Sequence, residues 1–171
     1  EITVFWNDKI ESGYEQPTNY NFPNSTLNDL LNKTTEDNCI FNKLPGGTGG
    51  LQSAIKEVNK KVGLGSSFAT EESYSTKLFP LSYDEITTES DPNVASGEGS
   101  TYQYYIDHKT EGDRLKKSVG SSWHDYSRYW LRSPDTDTTY YYRAWYCLDS
   151  GDLTWFMVDV NYYAVAPAFC I

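Results

Sequence analysis

Hydrophobic positions along this chain fall in short bursts between polar stretches marked by glycine and proline, and the period of each burst predicts its element. Ile2-Thr-Val-Phe-Trp6 alternates and is built from β-favouring residues, which predicts an opening strand. Asn7-Asp8 and Ser12-Gly13 supply turn chemistry, and the Asn-, Pro- and Tyr-rich stretch to Asn24 predicts a loop. Ser25 is a good helix N-cap, and Leu27, Leu30 and Leu31 follow at helical spacing, so a short helix starts there. Leu44-Pro-Gly-Gly-Thr-Gly-Gly50 breaks the chain. Leu51, Ile55, Val58 and Val62 form one apolar stripe with Lys56, Glu57, Lys60 and Lys61 facing water, which predicts a second helix stopped by Gly63. Lys77 to Ile86 predicts a short buried strand leading into a capped turn or one-turn helix at Ser82. Residues 87–99 predict a surface loop, Thr101 to Ile106 a short strand or helix, and Asp107 to Gly120 a charged, glycine-punctuated connection. Arg128 to Pro134 predicts a structural strand running into a turn at Ser133-Pro134, and Ala164 to Ile171 a buried terminal strand. Further turns are expected at Ser150-Gly151 and near Asn161. Two short helices, short strands and long loops with β-type sequence at both ends give a single α+β domain whose first and last strands could pair.

The last third, Trp123 to Ile171, concentrates the aromatic residues, with eight of the fifteen Tyr and four of the five Trp among Asp, Thr, Ser and Asn. Large amphipathic rings interleaved with small hydrogen-bonding residues are the chemistry of a binding surface. The same composition suits plain β-sheet, since Tyr, Thr and Trp favour strands, and composition alone supports both. The net charge of -10 argues against a nucleic-acid binder, which needs a basic face to neutralise phosphates. No apolar run reaches the ~18–20 residues of a membrane span, and no signal peptide is legible.

Catalytic and metal chemistry finds little support. His108 and His124 are the two histidines, too few for a zinc cluster. His124 beside Asp125 could be a general base, but a ring stacked among Trp123, Tyr126 and Tyr129 accounts for it more simply. No Gly-x-Ser-x-Gly elbow exists, and the glycine run lacks the Gly-Lys-Ser/Thr ending of a phosphate loop. Asp135, Asp137, Asp149 and Asp152 flank the aromatic run, but the regular calcium loop is absent and solvated loop acids are expected. Cys39, Cys147 and Cys170 are an odd, sparse set with room for at most one bridge; free buried thiols are expected at Cys39 and Cys170, and an exposed one at Cys147. These readings give no catalytic residue, no metal and no cofactor.

Lys77-Leu-Phe-Pro-Leu-Ser-Tyr-Asp-Glu-Ile86, Tyr129-Trp-Leu-Arg-Ser-Pro134, Arg143-Ala-Trp-Tyr146, Asp149-Ser-Gly-Asp-Leu153 and Val165-Ala-Pro-Ala-Phe169 occur in an order that resembles a microbial and phage family ending in WWLRSP … AWYV-SDG-L … GVRPAF. That family is similar to the C-type lectin fold, and its members include variable proteins of diversity-generating retroelements, in which a reverse transcriptase rewrites adenine positions near the 3′ end of the gene. The resemblance covers about the last ninety-five residues by motif. It departs at Ala164 and Ala166, where the family usually has Gly and Arg.

The resemblance implies a C-type-lectin-like α+β domain, with Ile2 to Trp6 paired to Val165 to Ile171 and a variable segment over about 129–171. It assigns Trp130, Leu131, Leu153, Val165 and Phe169 to the scaffold. The C-terminal loops would form one exposed, rewritable face from Asp135, Asp137, Thr138, Thr139, Tyr140, Tyr141, Tyr142, Tyr146, Asp149, Asp152, Phe156, Asp159, Asn161, Tyr162 and Tyr163. The implied partner is a protein or cell-surface ligand, with no nucleic acid and no membrane span, and the implied place of action is a virion or cell surface. Trp6-Asn-Asp8 and Asp91-Pro-Asn93 carry letters of calcium-lectin sugar motifs without their context, so calcium-dependent sugar binding is not implied. A fixed carbohydrate-binding module, an enzyme related to the formylglycine-generating enzymes with a reactive Cys147 or Cys170, and an assembly subunit are the alternatives.

Overall fold

The computed structural model describes residues 3–6, 21–64, 67–117, 126–137 and 142–171. These residues form a mixed α+β architecture of short helices and small sheets. A five-stranded sheet has the order β1-β9-β6-β7-β8, from β1 (Thr3–Val4), β6 (Tyr129–Pro134), β7 (Arg143–Cys147), β8 (Leu153–Met157) and β9 (Tyr163–Val165). A long antiparallel ribbon joins β2 (Val58–Leu64) to β3 (Ser67–Thr76), and a short one joins β4 (Lys116–Lys117) to β5 (Tyr126–Ser127). The helices are α1 (Thr26–Asn32), α2 (Ile40–Lys43), α3 (Leu51–Ala54), α4 (Tyr83–Ile86), α5 (Gln103–Asp107) and α6 (Glu111–Arg114).

Local signals hold where the capping chemistry is explicit. Ser25 caps α1 by accepting from Asn28 N at 3.0 Å. Ser82 caps α4 in a reciprocal box, Ser82 Oγ accepting from Glu85 N and Glu85 Oε2 from Ser82 N.

The second predicted helix is corrected: α3 ends at Ala54, and Val58–Leu64 is a strand. Val58, Lys60 and Val62 turn inward while Asn59 and Lys61 stay exposed, so Val58 and Val62, four residues apart, fit a period of two as well as a helix. Pairing with β3 then decides the outcome. Gly63 lies inside the strand rather than beyond a helix, and only glycine fits there, since a Cβ would sit 2.2 Å from the Ala95 Cβ.

The chain ends do come together, with a different partner from the one expected. Thr3 and Val4 pair with Ala164 and Tyr163, not with Val165 to Ile171. Pro167 has no N–H to continue a ladder, and the tail leaves the sheet to form single bridges from Ala168 to Phe79 and from Cys170 to Lys56. Phe169 and Ile171 are consequently exposed, which removes Phe169 from the expected scaffold and corrects the buried terminal strand. Two other corrections concern loops. Ser133 and Pro134 belong to β6, with Pro134 opposite Ala144, rather than to a turn. The expected surface loop 87–99 buries Thr87, Ala95 and Glu98.

Side chains alternate across the sheet into two apolar clusters. Trp130, Ala144, Tyr146 and Tyr163 join Val4, Trp6, Phe22, Leu27 and Leu31 on one face. Tyr129, Leu131, Trp145 and Cys147 join Tyr83, Ile86 and Tyr105 on the other. Two indoles sew the terminal strand on: Trp130 Nε1 donates to Val4 O at 2.9 Å and Trp6 Nε1 to Leu131 O at 2.8 Å.

Arg132, with no solvent exposure, ties the remaining pieces to β6. Its guanidinium donates to Lys61 O (3.1 Å) on β2, Pro80 O (3.0 Å), Glu98 O (2.6 Å) and Glu85 Oε2 (2.5 Å) on α4. Lys60 Nζ reaches the other oxygen of Glu85 at 2.8 Å. Burial alone would raise the Glu85 carboxyl, but the hydrogen bond and charge of Arg132 hold it below its ordinary value. Removing one member of such a buried set leaves the others uncompensated, so Arg132→Ala is expected to cost about 3–5 kcal/mol in urea denaturation. Arg132→Lys keeps the charge but cannot span the three carbonyls, and is expected to fall well below wild type; a wild-type midpoint for either variant would show that this cluster does not organise the fold.

Candidate functional site

Three connections leave the central strands in the segment expected to bind. Antiparallel pairing of β6 with β7 and β7 with β8 puts residues 135–137, Tyr142 and the start of the β8–β9 connection at one end of the sheet. Val158 N donates to Tyr142 O at 3.0 Å there. The β7–β8 turn lies at the opposite end, beside Arg128, which pairs with Asp149 at 3.2 Å. The chain after Tyr162 returns to that same end, where Ala164 N donates to Arg128 O at 2.8 Å. Strands of this length separate the two ends by roughly 17–20 Å. The expectation of a single face formed by all the C-terminal loops is therefore corrected to two groups of residues.

At the first end, Asp135 and Asp137 do structural work. Asp135 is completely buried, and its carboxylate meets Arg143 Nη2 at 2.7 Å. Asp137 meets the same nitrogen at 3.3 Å and donates its N–H to Asp135 Oδ1. The Arg143 guanidinium lies 3.4 Å from the centre of the Trp155 ring, a cation–π contact across neighbouring strands. The 87–99 loop closes over this group: Val94 bridges Asp135, and Asn93 O accepts from Thr136 N and Trp145 Nε1. Burial pushes the Asp135 carboxyl up to about 6 against the opposing pull of the Asp137 N–H and Arg143. Tyr142 is half-buried against the apolar cluster of Trp130 and Tyr146, and Asp159 is half-buried on the neighbouring connection. Thr138, Thr139, Tyr140 and Tyr141 lie outside the described residues, as do Trp123, His124 and Asp125.

Tyr146 and Tyr163 are buried, which corrects their expected exposure. Their rings stack at 4.1 Å, Trp130 packs edge-on against both, and the half-buried Phe156 packs edge-on against Tyr163. Alternation on β7 sends Tyr146 into the core, and Tyr163 on β9 turns into the same cluster with Trp130 and Val4.

At the second end the candidates do reach solvent. Asp152 is exposed and accepts from Ser150 Oγ at 2.8 Å, and Asp149 is half-buried in its pair with Arg128. The turn between them is set by Gly151, whose φ of 93° and whose approach to Glu111 O leave no room for a Cβ. Asn161 is exposed, and Tyr162 at 68% exposure is the most accessible aromatic ring among the described residues. Sequence reasoning missed Trp155, 39% exposed on the edge strand β8 directly opposite Trp145. The run Leu153-Thr-Trp-Phe-Met157 is apolar on both faces, so its sequence carries no signal that Trp155 reaches solvent.

Little reactive chemistry surrounds these residues. Cys39, Cys147 and Cys170 are free; Cys147 is buried, not exposed, and Cys170 half-buried, not buried. Burial raises the Cys147 thiol above its ordinary value. Among the described residues no three His, Cys, Asp or Glu side chains converge as metal ligands would.

A family model described as a domain of unknown function, DUF6273, matches residues 3–171, and the chain belongs to that family. No curated protein and no solved structure matches the chain.

The buried loop acid behind the site sets a pH dependence. Glu98 is 1% exposed; Oε1 accepts from Gly63 N at 2.7 Å and Oε2 meets Ser133 Oγ, which also accepts from Tyr83 N. Burial pushes its carboxyl from 4.5 up to about 7 against the opposing charge of Arg132. A folded-state value above the unfolded one means a contribution fully present below pH 4.5 and lost as pH rises through 7. Glu98→Gln, neutral throughout, is expected to flatten the stability profile across that window by on the order of 2–3 kcal/mol, read from urea midpoints at successive pH values. An unchanged slope would show that Glu98 does not titrate there.

Proposed function

We propose that this DUF6273 member is a recognition protein that catalyses nothing, with a C-type-lectin-like fold whose C-terminal aromatic and polar segment is diversified by a retroelement. The observation that carries the reading is the split inside that segment. Every residue of Tyr129-Trp-Leu-Arg-Ser-Pro134 is buried, while Asp152, Asn161 and Tyr162 stand in solvent between the motifs. Motif residues hold the backbone through packing and hydrogen bonds to distant chain, so replacing the exposed ones costs little, typically within ~0.5 kcal/mol. Affinity for any one target then comes from a few aromatic anchors.

The binding positions are drawn from the accessible residues, with Tyr162 and Trp155 as the large rings and Asn161, Asp152, Asp149 and Tyr142 as the adaptable polar contacts. Asp135, Tyr146 and Tyr163 pass to the scaffold on their burial. The partner is a protein or other cell-surface ligand, and the place of action a virion or cell surface. The charge of -10 opposes a nucleic acid, and none of the described helices is long and apolar enough to cross a membrane. The cysteine-enzyme alternative is disfavoured by the buried Cys147, whose thiol is less readily ionised than a free one.

Sequencing the gene and its flanks across a natural population tests the proposal. The expected result is a nearby near-copy of the segment encoding residues 129–171, differing at adenines, beside a reverse transcriptase gene. Its differences should fall on accessible positions and spare Arg132, Ser133, Tyr146 and Tyr163. An invariant gene without a template copy would end the diversification reading and leave a fixed site.

A further inference from the structure

A second group of aromatic rings lies outside the C-terminal segment. Tyr102, Tyr104 and Tyr105 line an open depression of about 640 Å³ with Gln103, Leu115 and Lys116, a volume within the usual range for small-ligand sites. Tyr102 and Tyr104 are 39% and 52% exposed, and Tyr105 is buried beneath them.

The rings are held before any ligand arrives. Tyr102 N donates to Glu85 O at 3.0 Å, and the Tyr102 hydroxyl accepts from Lys60 Nζ at 3.0 Å, which ties this ring to the Arg132 cluster. Tyr104 stands edge-on to Tyr105 and stacks on His108, with ring centres 4.6 Å apart and planes 19° from parallel. The Tyr105 hydroxyl accepts from Lys116 Nζ at 3.1 Å. Rigid, exposed rings lose little entropy on binding.

The surroundings select the ligand's chemistry. Lys60 Nζ, bonded to the Tyr102 hydroxyl, lies 5.5 Å from that ring's centre, and Lys116 Nζ, bonded to the Tyr105 hydroxyl, lies 5.8 Å from its ring's centre, so both ammonium groups sit at the hydroxyl edges, leave the ring faces open and repel a cationic ligand. Asp113, also on the depression, spends a carboxylate oxygen on Thr110 N and Oγ1. A nucleotide would stack, but a chain of net charge -10 offers its phosphates little. The remaining match is a neutral ring with a weakly positive C–H face for the tyrosines and hydroxyls for Gln103, Asp113 and Lys116.

We propose that the depression beside α5 is a second, fixed binding site for a pyranose ring of a neutral glycan. It needs no metal, and although α6 beside it packs against Gly151 of the β7–β8 turn, its lining residues lie outside the segment assigned to variable recognition, so it stands or falls separately from that reading.

The test is an NMR titration of the whole chain with neutral trisaccharides of glucose, mannose, galactose and N-acetylglucosamine, and with choline as a cationic control. At least one sugar should shift the Tyr102 and Tyr104 ring resonances saturably. Tyr104→Ala, its fold checked by circular dichroism, should weaken that sugar about tenfold or more, and Tyr162→Ala should leave it unchanged. The proposal is overturned if no sugar in the panel shifts these rings, if binding survives Tyr104→Ala, or if choline binds in place of the sugars. Concentration-dependent association abolished by Tyr104→Ala would assign the rings to a second copy and overturn it as well.

Discussion

A single guanidinium, that of Arg132, joins parts of the chain that share no sheet. β2, the 77–81 segment, α4 and the 87–99 loop each present a carbonyl or carboxylate to it. A charge in an apolar interior is tolerated only when it is paired and hydrogen-bonded, so these pieces must arrive together or the cluster is unfavourable. That requirement makes the arrangement specific. The next residue extends it, since Ser133 accepts from Tyr83 N and meets the Glu98 carboxyl. Tyr102, tied to Lys60 and to Glu85, carries the same rigidity out to the surface.

The candidate binding positions depend on that frame in different degrees. Asp135, Asp137 and Arg143 form a clamp at the root of the β6–β7 connection, and the 87–99 loop that covers them is itself anchored through Glu98. Tyr162 and Asn161 lie on the far connection, outside these ion pairs. Under the proposed reading this graded attachment is useful: residues close to the clamp would be costly to exchange, and those beyond it cheap.

Elements whose stability is local were legible in the sequence. Ser25 and Ser82 each satisfy a backbone N–H three residues on, and that pattern needs no knowledge of the rest of the chain. Elements decided by tertiary pairing were not. Val58 and Val62, four residues apart, fit either period, and only the presence of β3 selects a strand. The destination of Glu98 was hidden, because a glutamate among Ser, Gly and Asp reads as solvent-facing until Gly63 and Ser133 are found beneath it. Tyr162 and Tyr163 are chemically identical neighbours, yet one is 68% exposed and the other 5%. Composition could mark the segment as aromatic; the direction in which each side chain leaves the backbone as the chain enters β9 decides which ring faces water.

If a buried polar cluster holds the frame, accessible positions are free to vary. Saturation mutagenesis of the whole chain, read out by resistance to proteolysis on a display surface, tests it directly. Arg132, Ser133, Glu85, Trp130, Tyr146 and Tyr163 are expected to tolerate few replacements, and Asp152, Asn161 and Tyr162 most. Equal intolerance in the two groups, or free substitution at Arg132, would contradict it.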